Sequence, residues 1–189
     1  MSGNLAYQEE FREELVNGRI IAMAPASASH TYIADNILYF FKRYLRGKTC
    51  IPFGNGLLVY LTKKDHFVPD MMVVCDRSKI KRNGVYGAPD LVVEVLSPGT
   101  SKNDKGYKKS VYESCGVPEY WIVDPAGKSI EVYLLQDNRY VLDGLYTLYS
   151  KEELEELTEA EKAIVKTEFK CHLYDDLIIR LEDIFSDLF

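Results

Sequence analysis

The residue that most constrains this 189-residue chain is a glutamate. Glu94 sits inside Leu91-Val92-Val93-Glu94-Val95-Leu96, the most apolar strand-like run in the sequence. Branched aliphatics at this density suit a strand covered on both faces, and so a sheet centre. An unpaired carboxylate there costs several kcal/mol, so Glu94 requires a cation or a set of donors. Strand alternation puts Asp90, Val92 and Glu94 on one face. A second run, Val68-Pro69-Asp70-Met71-Met72-Val73-Val74, also carries a carboxylate in apolar surroundings.

Ser97-Pro98-Gly99 breaks the Glu94 strand, and a helix is predicted over residues 102–115, with Gly116 past its end. Asp104, Lys108 and Tyr112 then fall at i, i+4 and i+8, along one stripe. Two strand carboxylates and a lysine from the following helix make a divalent-metal hydrolysis site. All-oxygen ligands suit Mg²⁺ or Mn²⁺. Such a metal polarises a phosphoryl oxygen and acidifies a bound water, while the lysine steadies developing charge. The structural alternative is a buried Glu94–Lys108 salt bridge, because ion-pair networks imitate sites.

Around these segments the pattern reads as two strands, a helix, four strands, a helix, two strands and a tail. Asn17-Gly18, between Leu15-Val16 and Ile20-Ile21, is a two-residue hairpin signal. Ser27 or Ser29 caps a helix whose apolar face is Ile33, Ile37, Phe40, Phe41, Tyr44 and Leu45, with Gly47 as its stop. Strands are expected near residues 50–53 and 57–61, around Asn55-Gly56, and again at 120–123 and 130–135. Residues 76–88, basic and with two glycines, read as a loop. Residues 152–168 read as a helix, opened by a capping box of Ser150 and Glu153. The division expected is a domain over 1–150 and an acidic helical extension over 151–189 packed on it, with Phe185, Leu188 and Phe189 as candidate core residues.

An apolar fraction of 47% suffices for a sizeable core. No run reaches the roughly 18 apolar residues of a membrane span, and residues 1–12 are polar, so the expectation is a cytoplasmic protein that does not engage membranes. Cys50, Cys75, Cys115 and Cys171 form no CxxC pair and are read as free thiols. The net charge of −6 argues against a polyanionic partner, but residues 151–189 carry a net −7, leaving 1–150 near neutral. Two basic clusters stand out there: Arg77, Lys79, Lys81 and Arg82; and Lys102, Lys105, Lys108 and Lys109. They are expected to flank the cleft, with the acidic helix packed elsewhere.

Pro-Asp, an acidic residue in a hydrophobic strand, and a lysine together resemble the PD-(D/E)XK nuclease superfamily. Pro89-Asp90-Leu91-Val92-Val93-Glu94-Val95-Leu96-Ser97-Pro98 resembles the signature of its Uma-two family of endonucleases. So do Asp104, Lys108, Tyr112 and Gly116-Val117-Pro118-Glu119-Tyr120-Trp121-Ile122-Val123-Asp124-Pro125. Glu14 with Asn17-Gly18, Ala24-Pro25 and His30 resembles the family's opening, so the likeness covers about residues 11–135. It implies an α/β (α+β) fold, a restriction-endonuclease-like mixed β-sheet flanked by helices. It implies Asp70 and Glu94 as ligands of Mg (or Mn), Lys108 as the catalytic lysine and Glu14 as an auxiliary acid. Leu96 stands where the superfamily motif has lysine, and the family moves that lysine to the helix, at Lys108.

The function expected is hydrolysis of DNA phosphodiester bonds by an endonuclease; the oligomeric state is open, with a homodimer as one option because nucleases of this fold often pair to cut two strands. The alternatives are a nuclease-fold binding module without turnover and a hydrolase of a small phosphorylated substrate. Asp90 is read as structural and as the reserve ligand, Asp104 as a partner of Lys108 or a helix cap, and His30 as structural or supporting the site. Tyr112, Tyr120 and Trp121 are read as core aromatics.

Overall fold

The computed structural model describes residues 12–54 and 56–188. Residues 1–11, Asn55 of the expected Asn55-Gly56 turn, and Phe189 lie outside the described residues. Two six-stranded mixed sheets form the body of the protein. The first, in order β2-β1-β5-β4-β8-β7, is built from β1 (Glu13–Val16), β2 (Arg19–Ala22), β4 (Val59–Tyr60), β5 (His66–Phe67), β7 (Ile80–Lys81) and β8 (Gly84–Tyr86). The second, in order β12-β11-β10-β9-β6-β3, is built from β3 (Ile51–Gly54), β6 (Met71–Val74), β9 (Leu91–Val95), β10 (Glu119–Asp124), β11 (Ser129–Gln136) and β12 (Arg139–Thr147). The α+β fold class expected from the sequence is the one observed.

The expected hairpin joins β1 to β2: Asn17 and Gly18 have φ of +50° and +75°, the paired left-handed conformation that matches strand twist. Helix α1 (Ala28–Tyr44) starts where the Ser27 side chain accepts from the His30 amide. Its Ile33, Ile37 and Phe41 pack on Leu91, Val93 and Val95, one face of β9. Val92, on the other face, joins a second core with Val59, Phe67, Val85, Tyr112 and Tyr120. The second sheet therefore separates two cores, and Glu94 alternates onto the face that the first sheet covers.

β9 and β10 pair in parallel, so a crossover must connect them. It is not the single regular helix expected. A short α2 (Ser101–Asn103) gives way to a π-helical turn over Asp104–Lys108, and α3 (Lys109–Cys115) follows to Gly116, whose φ of +82° closes it. A wide turn of this kind is uncommon and concentrates at functional sites. Gly106 in its middle is the one sequence sign of irregularity.

Four further expectations are corrected. Residues 76–88 supply β7 and β8 rather than only a loop; strands of two or three residues are too short to show alternation. Cys50 and Cys75, read as free thiols, form a disulfide, while Cys115 and Cys171 are free. The antiparallel register Ile51↔Val74 sets the two cysteines face to face, with Cα atoms 3.9 Å apart. The long helix expected over 152–168 is two short ones, α4 (Lys151–Glu156) and α5 (Glu159–Lys162), each opened by its own capping box. β12, not foreseen, pairs with β11 through a turn at Asp137-Asn138, both at positive φ.

Beyond α5 the chain forms the hairpin β13 (Glu168–Lys170) and β14 (Ile178–Arg180), then α6 (Leu181–Phe185). Phe169, Ile179, Leu181, Ile184 and Phe185 enter the core on the α1 side, with Leu188 packed against it. This part of the acidic segment lies across the second sheet from Glu94.

Candidate active site

The register Met71↔Val93 between β6 and β9 continues to Asp70 opposite Glu94. Directly opposed residues project from the same face, so two carboxylates separated by 24 positions become neighbours. Asp70 Oδ2 accepts from the Val95 amide at 2.8 Å and meets His30 Nε2 at 3.1 Å. These two donors, one from the partner strand and one from the first turn of α1, fix the carboxylate's orientation.

Lys108 reaches into the same place from the π turn. Its Nζ lies 2.9 Å from Glu14 Oε1, 3.3 Å from Glu94 Oε1 and 3.5 Å from Asp104 Oδ1. Glu14 arrives from β1 of the first sheet and also accepts from the Val68 amide at 2.8 Å. Tyr112, one turn beyond Lys108, donates to Glu94 Oε1 at 2.8 Å, and the Tyr120 hydroxyl donates to the Asp104 carbonyl. The four residues singled out from the sequence, Glu14, Asp70, Glu94 and Lys108, thus converge on one buried cluster; none is more than 7% exposed.

Asp104, His30 and Tyr112 belong to the cluster as well. The stripe spacing points to Asp104 and Tyr112, though it does not give Tyr112 its bond to Glu94, and nothing in the sequence ties His30 to Asp70. Asp90 is elsewhere: its carboxylate accepts from the Cys75 amide and ties the start of β9 to the end of β6. The basic clusters do not both line the cluster of acids. Lys105 pairs with Glu131 and Lys109 lies over the Tyr133 ring, both on β11, while Arg77 holds the carbonyls of Lys48 and Thr49.

Charge decides the chemistry available. Four carboxylates surround one lysine and one histidine. Burial works against the Lys108 ammonium, but the charges of Glu94, Glu14 and Asp104 outweigh it and hold its pKa above the usual lysine value. Burial pushes Glu94 well above the carboxylate range despite Lys108, with Asp104, Asp70 and Glu14 adding to the shift. Asp104 is raised by burial in the same way. His30 is raised too: burial opposes its charge, and the hydrogen bond and charge of Asp70 overcome that. Lys108 does not offset the burial of Glu94 and Asp104, and both carboxylates stay raised.

The donors fit a hard divalent cation. Asp104 Oδ1 is buried with no hydrogen-bond partner among the described residues, and faces Lys108 at 3.5 Å. Among the described residues no three His, Cys, Asp or Glu side chains are already gathered as a metal cage. Mg²⁺ needs none, since it is held by one or two carboxylates with water and substrate phosphates completing its shell.

Comparison with known proteins decides the family. The family model for Uma2, described as "Putative restriction endonuclease", matches residues 4–165. The chain belongs to the Uma2 family. The match runs further than the motifs at residues 11–135 and takes in the two capped helices α4 and α5. Among relatives, uncharacterized protein slr1290 of Synechocystis sp. is 30% identical over 138 residues, 71% of this chain and 73% of that protein. Uncharacterized protein sll1609 of the same organism is 26% identical over 126 residues, 65% of this chain and 71% of that one. A crystal structure of a "putative nuclease belonging to DUF820" from Anabaena variabilis superposes with a TM-score of 0.63 at 19% identity, covering 92% of this chain and 89% of that one. That likeness establishes the fold this Uma2 protein shares with it. Among the described residues, no helix is long and apolar enough to cross a membrane.

Proposed function

We propose that this Uma2 protein is a metal-dependent endonuclease that hydrolyses DNA phosphodiester bonds. The observation that carries the reading is the excess of buried carboxylate: Glu14, Glu94 and Asp104 around the one Lys108, with Asp70 beside Glu94 and held by His30. A purely structural ion pair gains nothing from extra buried acids, whereas a site for a divalent cation requires them. Asp70 and Glu94 would hold Mg²⁺ or Mn²⁺. When bound, the metal neutralises phosphoryl oxygens and supplies an acidified water.

The chain's own groups do the rest. Lys108, kept protonated by its acids, is a fixed positive charge and not a general base; it offsets charge developing on the phosphate. Glu14 and Asp104 position that ammonium from opposite elements. His30 and the Val95 amide orient Asp70, and the Tyr112 hydroxyl orients Glu94. One observation favours the second reading, a nuclease-fold binding module without turnover: Lys108 is held by three carboxylates at once, as in structural networks.

The experiment that separates them is cleavage of plasmid and oligonucleotide DNA with Mg²⁺, Mn²⁺ or EDTA, alongside metal titration by calorimetry. The endonuclease reading expects metal-dependent cutting, and loss of both cutting and metal binding in Asp70→Asn and Glu94→Gln. Metal binding without cleavage of any DNA form would leave the binding module.

A further inference from the structure

The outer face of the first sheet is built as a continuous row. Register carries Ile20, Leu15, His66, Tyr60 and Tyr86 side by side across β2, β1, β5, β4 and β8. Five strands at about 4.8 Å spacing make a row roughly 19 Å long. Alternation sends their neighbours Glu14, Val59, Phe67 and Val85 inward, where they are buried, while Ile20 is 69% and Tyr86 42% exposed. The rings form a ladder: Tyr60 lies 4.6 Å from His66 and 4.4 Å from Tyr86, the latter pair nearly parallel at 13°. Gly84 permits it, since a Cβ there would stand 2.7 Å from the Tyr60 ring. Asn83 Nδ2 donates to both phenol oxygens, at 3.3 Å and 2.9 Å, so the ladder is held before any partner arrives. Among the described residues Tyr86 has no second ring neighbour, and it ends the stack.

The charge around this row is opposite to that of the chain. Arg19, Lys63, Lys64, Lys81 and Arg82 are exposed at the ends of these strands, and Glu13 is the one exposed carboxylate among residues 13–22, 59–67 and 80–86. Asp65 is buried and satisfied by the Asn17 amide and the hydroxyls of Thr62 and Tyr107. On a protein of net charge −6, a basic rim around exposed rings is complementary to a polyanion that offers aromatic faces. A duplex hides its base faces within the stack; a single strand exposes them.

We propose that this face binds single-stranded DNA, with a base continuing the stack on Tyr86 and phosphates held by Lys81, Arg82, Lys63 and Lys64. The proposal rests on the nuclease reading insofar as the bound strand is substrate or product. β1 joins the two, presenting Leu15 outward to the row and Glu14 inward to the cluster.

Fluorescence anisotropy of a labelled oligodeoxythymidine of about 16 nucleotides, in EDTA, tests it against a duplex of equal length. The single strand should bind more tightly than the duplex. Tyr86→Ala should weaken it by about 5- to 150-fold, and Tyr86→Phe should bind like the parent. The double variant Lys81→Glu, Arg82→Glu lies wholly at the surface and should flatten the salt dependence of log Kd by about 1.4. Duplex binding as tight as single-strand binding, or parent-like binding by both Tyr86→Ala and the charge-reversed protein, would overturn the proposal. Tyr86-dependent binding with no cleavage under any metal sinks the nuclease reading and leaves this face standing. Metal-dependent cleavage without any single-strand binding does the reverse.

Discussion

Glu94 and Glu119 are both buried glutamates on neighbouring central strands, and they do opposite things. In the parallel register Glu119 stands beside Leu91 and Glu94 beside Ile122, and the two project to opposite faces of the second sheet. Glu119 is 1% exposed and surrounded by neutral donors. Its Oε1 accepts from Trp121 Nε1 at 2.8 Å and the His172 amide at 3.2 Å; its Oε2 accepts from the Leu173 amide at 3.0 Å and Cys171 Sγ at 3.6 Å. Every lone pair it needs satisfied is satisfied, and the acid clamps the C-terminal segment to β10. Glu94 has Lys108 and the Tyr112 hydroxyl, and shares the lysine with Glu14 and Asp104. Burial raises the pKa of both. A buried acid with saturated neutral donors fastens the fold, whereas Glu94 stands in a surplus of acids around one lysine.

The largest test of that contrast is Lys108→Ala. Removing the only strong cation among Glu14, Glu94 and Asp104 should lower DNA cleavage by about 10²–10³-fold in single-turnover assays. It should also lower stability by roughly 3–5 kcal/mol in EDTA, because buried acids lose their counter-charge. Mg²⁺ should restore much of that loss in thermal melts and leave metal binding intact, since lysine is no ligand. A variant that cuts at the parent rate would move the role to another residue.

Glu119→Ala should do the converse. Two backbone amides and an indole N–H lose their acceptor, which costs about 3 kcal/mol in urea denaturation. Mg²⁺ should return none of it beyond what it gives the parent, and cleavage per folded molecule should be unchanged. Metal rescue of Glu119→Ala would erase the distinction drawn between the two acids.

Much of the Glu94 side was legible in the sequence and little of the Glu119 side was. An acid inside branched aliphatics is conspicuous, its partner strand carried a matching acid, and Lys108 lay one helix further on. The motifs around residues 89–98 and 116–125 then marked the family. Glu119 lies in one of those motifs, but its amide donors come from residues 53 and 54 positions later, in a segment whose composition reads only as acidic. The Cys50–Cys75 bond likewise depends on which strand pairs with which, across 25 residues. β12 escaped notice because as an edge strand it exposes Val141, Leu142 and Leu145, which blurs alternation. The π turn was hidden because i, i+4 spacing looks the same on paper whether the turn is tight or wide.

A smaller effect should follow from pH. Glu94, Asp104, Glu119 and His30 all hold protons more tightly folded than unfolded. Raised folded values mean that their stabilising contribution is complete below the unfolded pKa and is lost as pH rises through the folded one. The metal-free protein should therefore lose stability as pH rises above the ordinary carboxylate values of 3.8 and 4.5, the carboxylates acting first and His30 above its ordinary 6.5. Lys108, with its pKa raised above 10.5, stays charged throughout and adds no slope there. Saturating Mg²⁺ should flatten the part due to Glu94 and Asp104. Glu119→Gln should remove a different part and leave the metal effect in place. Melting curves that are flat with pH in EDTA would contradict the assignment.

The finest test is Tyr112→Phe, which deletes one hydroxyl from a fully buried ring. The hydroxyl donates to Glu94 Oε1 at 2.8 Å, and a donor to a carboxylate favours its ionised form. Losing it should cost about 1 kcal/mol of stability and make Glu94 harder to ionise. If ionised Glu94 holds the metal, the acid limb of the cleavage pH profile should move to higher pH, while the rate at its plateau changes little. Cys171→Ala is the matched change on the other acid: it deletes a weak donor 3.6 Å from Glu119 Oε2, with two amides and an indole still in place. That profile should not move. A shift in both profiles would mean that the second sheet couples its two faces, and that Glu119 tunes the site from behind as well as anchoring the tail. A shift in neither would mean that ionisation of Glu94 does not limit cleavage.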